Sequence, residues 1–318
     1  MRKTFPVRVP RLSGRTSIRP LAAAGFGFAL VAANAPPSDP ASQSITIDGR
    51  LPEKAARQLA LGFVRGTGVA AGETPAARWT APICPDVIGL EPIGKRAAEA
   101  KIRRVAAAAG IKVSPERCRR NIVVTFTPNG AALAREVAER EPGRVLHLSP
   151  RSREAILHGS APIRWLYTTE TRTRHGTGET LPGGAGNSSP QRFGGAGTAM
   201  GGEMGSLMHY ESSMTSTLTN RVLTSAIVIV DQDEVMGRRL DAVAAYAALV
   251  ALAEIRNAGA APEGSILTLF ESSAPPRDLT AQDMAFLRAL YRLPLDRKAM
   301  QHRGQLVGGI TGALAAQD

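Results

Sequence analysis

The chain has 318 residues, 43% of them hydrophobic, enough for one large core or two smaller ones. It carries 39 Lys and Arg against 27 Asp and Glu, a formal charge of +12, with 2 Trp, 4 Tyr and 8 Phe beside 32 Gly and 22 Pro. This implies a core of Ala, Leu and Val with many turns, and it excludes a multipass membrane protein, a coiled coil, a collagen-like repeat and a wholly disordered chain.

The N-terminus speaks for export. Arg2, Lys3, Arg8, Arg11, Arg15 and Arg19 stand there with no acidic residue, followed by the apolar run 21–33, LAAAGFGFALVAA. Ala33-Asn34-Ala35 then has the A-x-A form, and Val31-Ala32-Ala33 is a second match. This is the layout of a secretory signal peptide, 1–33, cleaved after Ala33 because Pro36 disfavours the site after Ala35. The apolar run is short of the ~20 residues that a spanning helix needs, so an uncleaved inner-membrane anchor is the lesser alternative. The expected compartment is the periplasm or the medium, with no integral membrane span left after leader removal. No Arg-Arg pair and no following Cys mark the segment, which favours general export over the twin-arginine route or a lipoprotein.

Without the leader the chain keeps 33 basic and 27 acidic residues, a charge of +6. The high isoelectric point is therefore partly the leader's, and pairs such as Arg103-Arg104 and Arg119-Arg120, with no aromatic residues between them, read as solvated faces. Nucleic acid is not an expected partner. Cys84 and Cys118 are the only cysteines. No C-x-x-C or zinc spacing competes, so in an oxidising compartment they read as a disulfide.

After a flexible start at 36–43, SITID (44–48) reads as a short strand and Pro52–Val64 as a helix opened by proline. Together with the loop-like 65–82, these form an N-terminal extension, 34–82, with one helix. A main domain, 83–318, follows. Val87–Leu90 is a short apolar run, and Ala97, Ile102, Val105 and Ala106 space an amphipathic helix that Gly110 ends. Asn121–Thr127 is a β-branched strand, turned by Pro128-Asn129-Gly130 into a helix over 131–139. Arg144–Leu148 and Ile163–Thr168 are expected strands around a short helix at Ser152–His158. Between 171 and 214 the chain reads as a mobile loop: 11 of the 30 residues from Gly176 to Gly205 are glycine, and little apolar surface offsets the cost of ordering them. Its Gly194, Gly195, Gly197, Gly201 and Gly202 lack the Lys and the strand–helix flanks of a phosphate-binding loop. Ala226–Val230 is a buried-strand run, Arg238–Ile255 a nearly uncharged helix for the centre of a core, and SILTLF occupies 265–270. Helices follow at 279–291, with Thr280 as N-cap and Asp283 three positions on, and at 300–315.

Few residues carry a signature of chemistry. Asp231-Gln-Asp233-Glu234 closes the apolar strand. A strand ending in D-x-D can present a nucleophile or Mg²⁺ ligands, as in phosphatases of the haloacid dehalogenase type. Equally, an acidic strand-to-helix turn complements a helix N-terminus. His147, His158, His175, His209 and His302 form no HExxH or other close pair. A loop metal site from His209, Tyr210, Glu211 and Glu203 has only proximity behind it, and there is no G-x-S-x-G.

SIL at 265–267 followed by LTAQDMAFLRALY resembles the C-terminal stretch of zincin metallopeptidases, particularly the metzincin-like group, in which a Ser-Ile-Met turn precedes a helix of the form LTxxDxxxLxxLY. The resemblance implies a zincin-like α+β domain over 83–318 with a mixed sheet, a central apolar helix and C-terminal helices. It sets Tyr246 and Val250 at the two zinc-binding histidines of HExxH and Ala247 at its general-base Glu. Val and Ala carry no donor atom, so the implied protein holds no metal or cofactor and is a pseudoenzyme. RWTAPICPDVIGL and CRRNIVVTFT are also similar to stretches of exported alphaproteobacterial proteins, a likeness that carries no function. The expectation is a non-catalytic binding or envelope-associated module whose partner is an unknown protein or envelope component. The alternative is a phosphatase-like hydrolase acting through Asp231 and Asp233.

Overall fold

The computed structural model describes residues 51–145, 148–173, 216–217, 219–258 and 261–316. The leader, the expected strand at 44–48 and residues 174–215 of the glycine-rich segment lie outside them. Twelve elements are described: Glu53–Thr67 (α1), Arg78–Trp79 (β1), Pro85–Ile88 (β2), Pro92–Ala108 (α2), Ile122–Thr127 (β3), Gly130–Arg140 (α3), Pro150–Leu157 (α4), Ile163–Thr173 (β4), Thr219–Asp231 (β5), Leu240–Leu252 (α5), Ala281–Arg292 (α6) and Ala299–Ala315 (α7). Seven helices and a mixed sheet agree with the expected α+β class.

β5 organises the sheet. Its upper half, Ala226–Asp231, pairs in parallel with Ile122–Thr127 of β3, and Val222 and Leu223 pair in parallel with Arg78 and Trp79 of β1. The antiparallel partner β4 fills the other edge of β5, with a register shift between Thr168 and Thr169. β1 and β3 therefore lie end to end along one side of β5, and β2 completes the order beyond β3 in parallel. The run IVVTFT folds as a strand because Ile122, Val124 and Phe126 share one buried face while Val123 and Thr125 alternate outward. At the end of β2, Gly89 has φ +87°, and a Cβ there would stand 2.0 Å from the carbonyl oxygen of Phe126. Only glycine lets β2 close on β3 at this point.

Alternation along β4 also separates two cores. Trp165 and Tyr167 face the main cluster, under α1, α2, α5, α6 and α7. Leu166 faces a small one with Ala138, Val145, Leu148 and Ile156, beneath α3 and α4.

Two expectations need correction. Arg144–Leu148 is no strand: Pro142–Arg144 is a 3₁₀ turn, continued by hydrogen bonds from Val145 N to the Pro142 carbonyl and from Leu148 N to that of Val145. Burial of Val145 beside Leu148 in the small cluster overrides the β propensity of the valine. β4 runs to Thr173, past the expected loop start at 171, because Thr171–Thr173 pair with Arg221–Thr219. Within the N-terminal extension, Ala56, Ala60 and Phe63 of α1 belong to the main cluster and β1 to the sheet.

Cys84 and Cys118 are bonded, with Cα atoms 6.0 Å apart. Among the described residues no helix is long and apolar enough to cross a membrane.

Candidate functional site

α5 carries the positions that the resemblance singles out. After Asp241 its sequence has no charge until Glu254, and every residue from Ala242 to Leu252 is buried. A helix apolar on all sides has no solvent face, and its alanines let the Ala-rich α2 pack closely through Ile102, Val105 and Ala106. On its face, Tyr246 lies between Trp165 and Phe270, with ring centroids at 6.2 Å and 5.8 Å. Among the described residues its hydroxyl has no hydrogen-bond partner, although burial pushes its pKa up and holds it as a neutral phenol. Ala247 and Val250 are fully buried. Positions 246 and 250 share one helix face, as a zinc pair would require, but neither Ala247 nor Val250 offers a nitrogen, oxygen or sulfur. The residues present do not fit a zinc ion.

The end of α5 is closed by aromatic side chains. A helix leaves its last four carbonyls without intrahelical partners. Here the Leu249 carbonyl accepts from Ala253 N. The Tyr167 hydroxyl lies 2.6 Å from the Val250 carbonyl and 2.8 Å from that of Ala253, and it accepts from Ile255 N at 3.2 Å. Trp79 Nε1 donates to the Ala251 carbonyl at 2.9 Å, and the Tyr291 hydroxyl to that of Leu252 at 2.7 Å. Trp165 Nε1 reaches the Ile255 carbonyl at 2.8 Å. Both tryptophans of the chain thus bind this one helix end. Burial raises the pKa of Tyr167 and Tyr291, so both remain donors. Just beyond, Glu254 is 1% exposed and takes a two-pronged bond from Arg221 Nη1 and Nη2 at 2.8 and 2.9 Å. Arg221 also donates from Nη1 to the Pro75 carbonyl and from Nη2 to Thr169 Oγ1, so each terminal nitrogen makes two bonds.

The paired aspartates part company. Asp231 is buried, and its Oδ2 accepts from Gly130 N at 2.9 Å, with Arg164 Nη1 at 3.9 Å. It serves the first turn of α3, where a carboxylate complements the helix's positive end. A Cβ on Gly130 would lie 2.9 Å from Arg164 Nη1 and 3.2 Å from Asp231 Oδ2, so a side chain there would push these two groups aside. Asp233 is exposed in the following turn, as is Glu234. Among the described residues no group of three or more His, Cys, Asp or Glu could hold a metal ion. His147, His175, Glu203, His209, Tyr210 and Glu211 lie outside the described residues, and His158 is exposed at the end of α4.

SIL and the LTAQD helix are joined by Asp283. Its carboxylate accepts from Ser265 Oγ (2.6 Å), Ile266 N (2.8 Å) and Thr280 N (2.9 Å), and it completes the capping box with Thr280. His302, fully buried in α7, accepts from Ala76 N through Nδ1 and turns Nε2 toward the Pro294 carbonyl at 2.8 Å. Sequence reading missed the aromatic closure, the Arg221–Glu254 pair and the bond of His302 to Ala76. Apart from the contact of His302 with nearby Pro294, the residues that meet stand 33 to 226 positions apart, so no local spacing marks them. The one available signal was scarcity, a chain with 2 Trp and 4 Tyr. No protein-family model, curated protein or solved structure matches this chain.

Proposed function

We propose that the chain is an exported, non-catalytic binding module on a zincin-like fold, acting on a protein or envelope component outside the cytoplasm. The observation that carries this reading is the burial of Ala247 and Val250 inside a packed apolar helix, where the resembled family keeps its base and a zinc ligand. Neither Ala247 nor Val250 offers water or a metal a polar group, and the neutral Tyr246 phenol is a poor zinc ligand beside imidazole.

The fold assignment is supported by the order of parts: β5 beside an antiparallel edge strand, a turn into the buried α5, then the SIL turn held to the LTAQD helix through Asp283. Export is supported by the signal-like N-terminus and the Cys84–Cys118 bond.

The test is elemental analysis of the purified full chain after incubation with zinc, with general peptidase assays alongside. Zinc far below one ion per chain and no peptidase activity are expected. Stoichiometric zinc with peptidase activity would refute the reading. N-terminal sequencing of material from the periplasm or medium should begin after the leader, and an intact Met1 in the membrane fraction would replace export with anchoring.

A further inference from the structure

Arg238, Arg239 and Arg277 line one cavity of about 440 Å³, floored by Ala242 and walled by Pro275 and Pro276. The volume falls within the range of small-molecule sites, roughly 300–1,000 Å³. No acidic side chain lines it. All three arginines are exposed, and two lack a carboxylate partner among the described residues. Arg238 instead lies over the Phe270 ring, its Cζ 5.8 Å from the centroid. Arg239 has only Asp241, at 3.8 Å between two exposed side chains, a contact of little energy.

Three arginines and no carboxylate in the lining of one concave surface gather positive charge that a bound anion would offset. Each offers a planar fork of donors that matches the oxygen pairs of phosphate. The positive end of α5 adds to the field, since Arg239 is its N-cap and no side chain caps it. Ala242 precedes Tyr246 by one helical turn on the same face, so the cavity lies at the N-terminal end of the face that carries Tyr246.

We infer that this cavity binds a ligand through a phosphate group, with Arg238, Arg239 and Arg277 as its donors. The inference deepens the reading of the chain as a binding module by giving it a ligand class. Zinc content and peptidase assays test that reading separately, and they do not bear on this site.

The experiment is calorimetric titration of the full chain with inorganic pyrophosphate at constant ionic strength. Saturable binding of one pyrophosphate per chain is expected, weakened at least about tenfold in Arg239→Gln and in Arg277→Gln by loss of a charge-assisted pair. Arg57→Gln, on the exposed side of α1, should bind as the unaltered chain does. Arg239→Lys, which keeps the charge and loses the fork, should fall between. Tryptophan fluorescence checks that each variant is folded. Competition by phosphatidic acid vesicles would place the phosphate on a lipid, and indifference to them would place it on a soluble ligand. Absence of saturable heat up to about 10 mM pyrophosphate, far weaker than a functional site, would overturn the inference. So would an equal loss in Arg57→Gln, which marks general charge attraction.

Discussion

Tyr167 does with one hydroxyl what several residues do elsewhere: it serves the Val250 and Ala253 carbonyls and the Ile255 amide, all buried. Tyr167→Phe keeps the ring and strands these groups, so it should cost about 1–3 kcal/mol in urea unfolding followed by tryptophan fluorescence. A loss near zero would mean that water replaces the hydroxyl. Glu254→Gln should be worse, about 3–5 kcal/mol, because it leaves the Arg221 charge poorly matched in a buried place. His302 gives stability a pH dependence. Burial holds its imidazole below the ordinary value, reinforced by Arg78 and Arg297 and opposed by the Pro294 carbonyl and Asp296. The folded pKa thus lies below the unfolded one, and the unfolded chain takes up the proton first. This contribution is complete above about pH 6.5 and is lost as pH falls from there through the folded value. Unfolding free energies at pH 7 and pH 5 should differ more in the unaltered chain than in His302→Gln, and equal differences would clear His302. Burial of His302 was legible, since Ala299, His302, Leu306 and Ile310 keep helical spacing. Its partner Ala76 was not, because nothing local binds residues 226 positions apart.

Elements were most legible where local chemistry and burial agree. Ala226–Val230 and the uncharged helix could be recognised because a sustained apolar run has few places to go. Thr280-x-x-Asp283 announced its cap from spacing alone, and the capping box is present. The other half of that interaction, Asp283 to Ser265 and Ile266, spans a turn, and only the resemblance drew the two segments together. Arg144–Leu148 was not legible because Val145 and Leu148 answer to a cluster contributed by α3, α4 and β4. Asp283 is the hinge point of the C-terminal region. Burial raises its pKa, while Ser265, Ile266 and Thr280 pull it back by hydrogen bonding to the carboxylate. Asp283→Ala removes the carboxylate half of the capping box and releases the SIL turn together, so it should cost at least about 2 kcal/mol. Ser265→Ala removes one bond only and should cost about 1 kcal/mol. Equal losses would show that the cap contributes nothing and the turn everything.

Across the whole molecule, the Cys84–Cys118 bond encloses β2 and α2. The closed segment is no surface appendage. Ile102, Val105 and Ala106 belong to the same core as α5, and β2 forms the edge of the sheet beside β3. The base of the loop is tied again by Asn121, which accepts from Cys84 N at 2.7 Å and donates to the Pro82 carbonyl at 3.1 Å. Opening the bond therefore frees chain whose disorder reaches the core, and the loss should appear in the global transition rather than as local fraying. For a separation of 34 residues the chain-entropy model gives ~4 kcal/mol. In a domain of this size that amounts to a fall in Tm of roughly 8–16 °C. The Cys84→Ser/Cys118→Ser double variant, melted beside the oxidised chain, tests it. Trp79 and Trp165 both sit at the end of α5, so intrinsic fluorescence reports the core itself. An unchanged melting temperature would mean that α2 and β2 are held fully by packing, and that the bond guards only the loop around Arg117–Arg120.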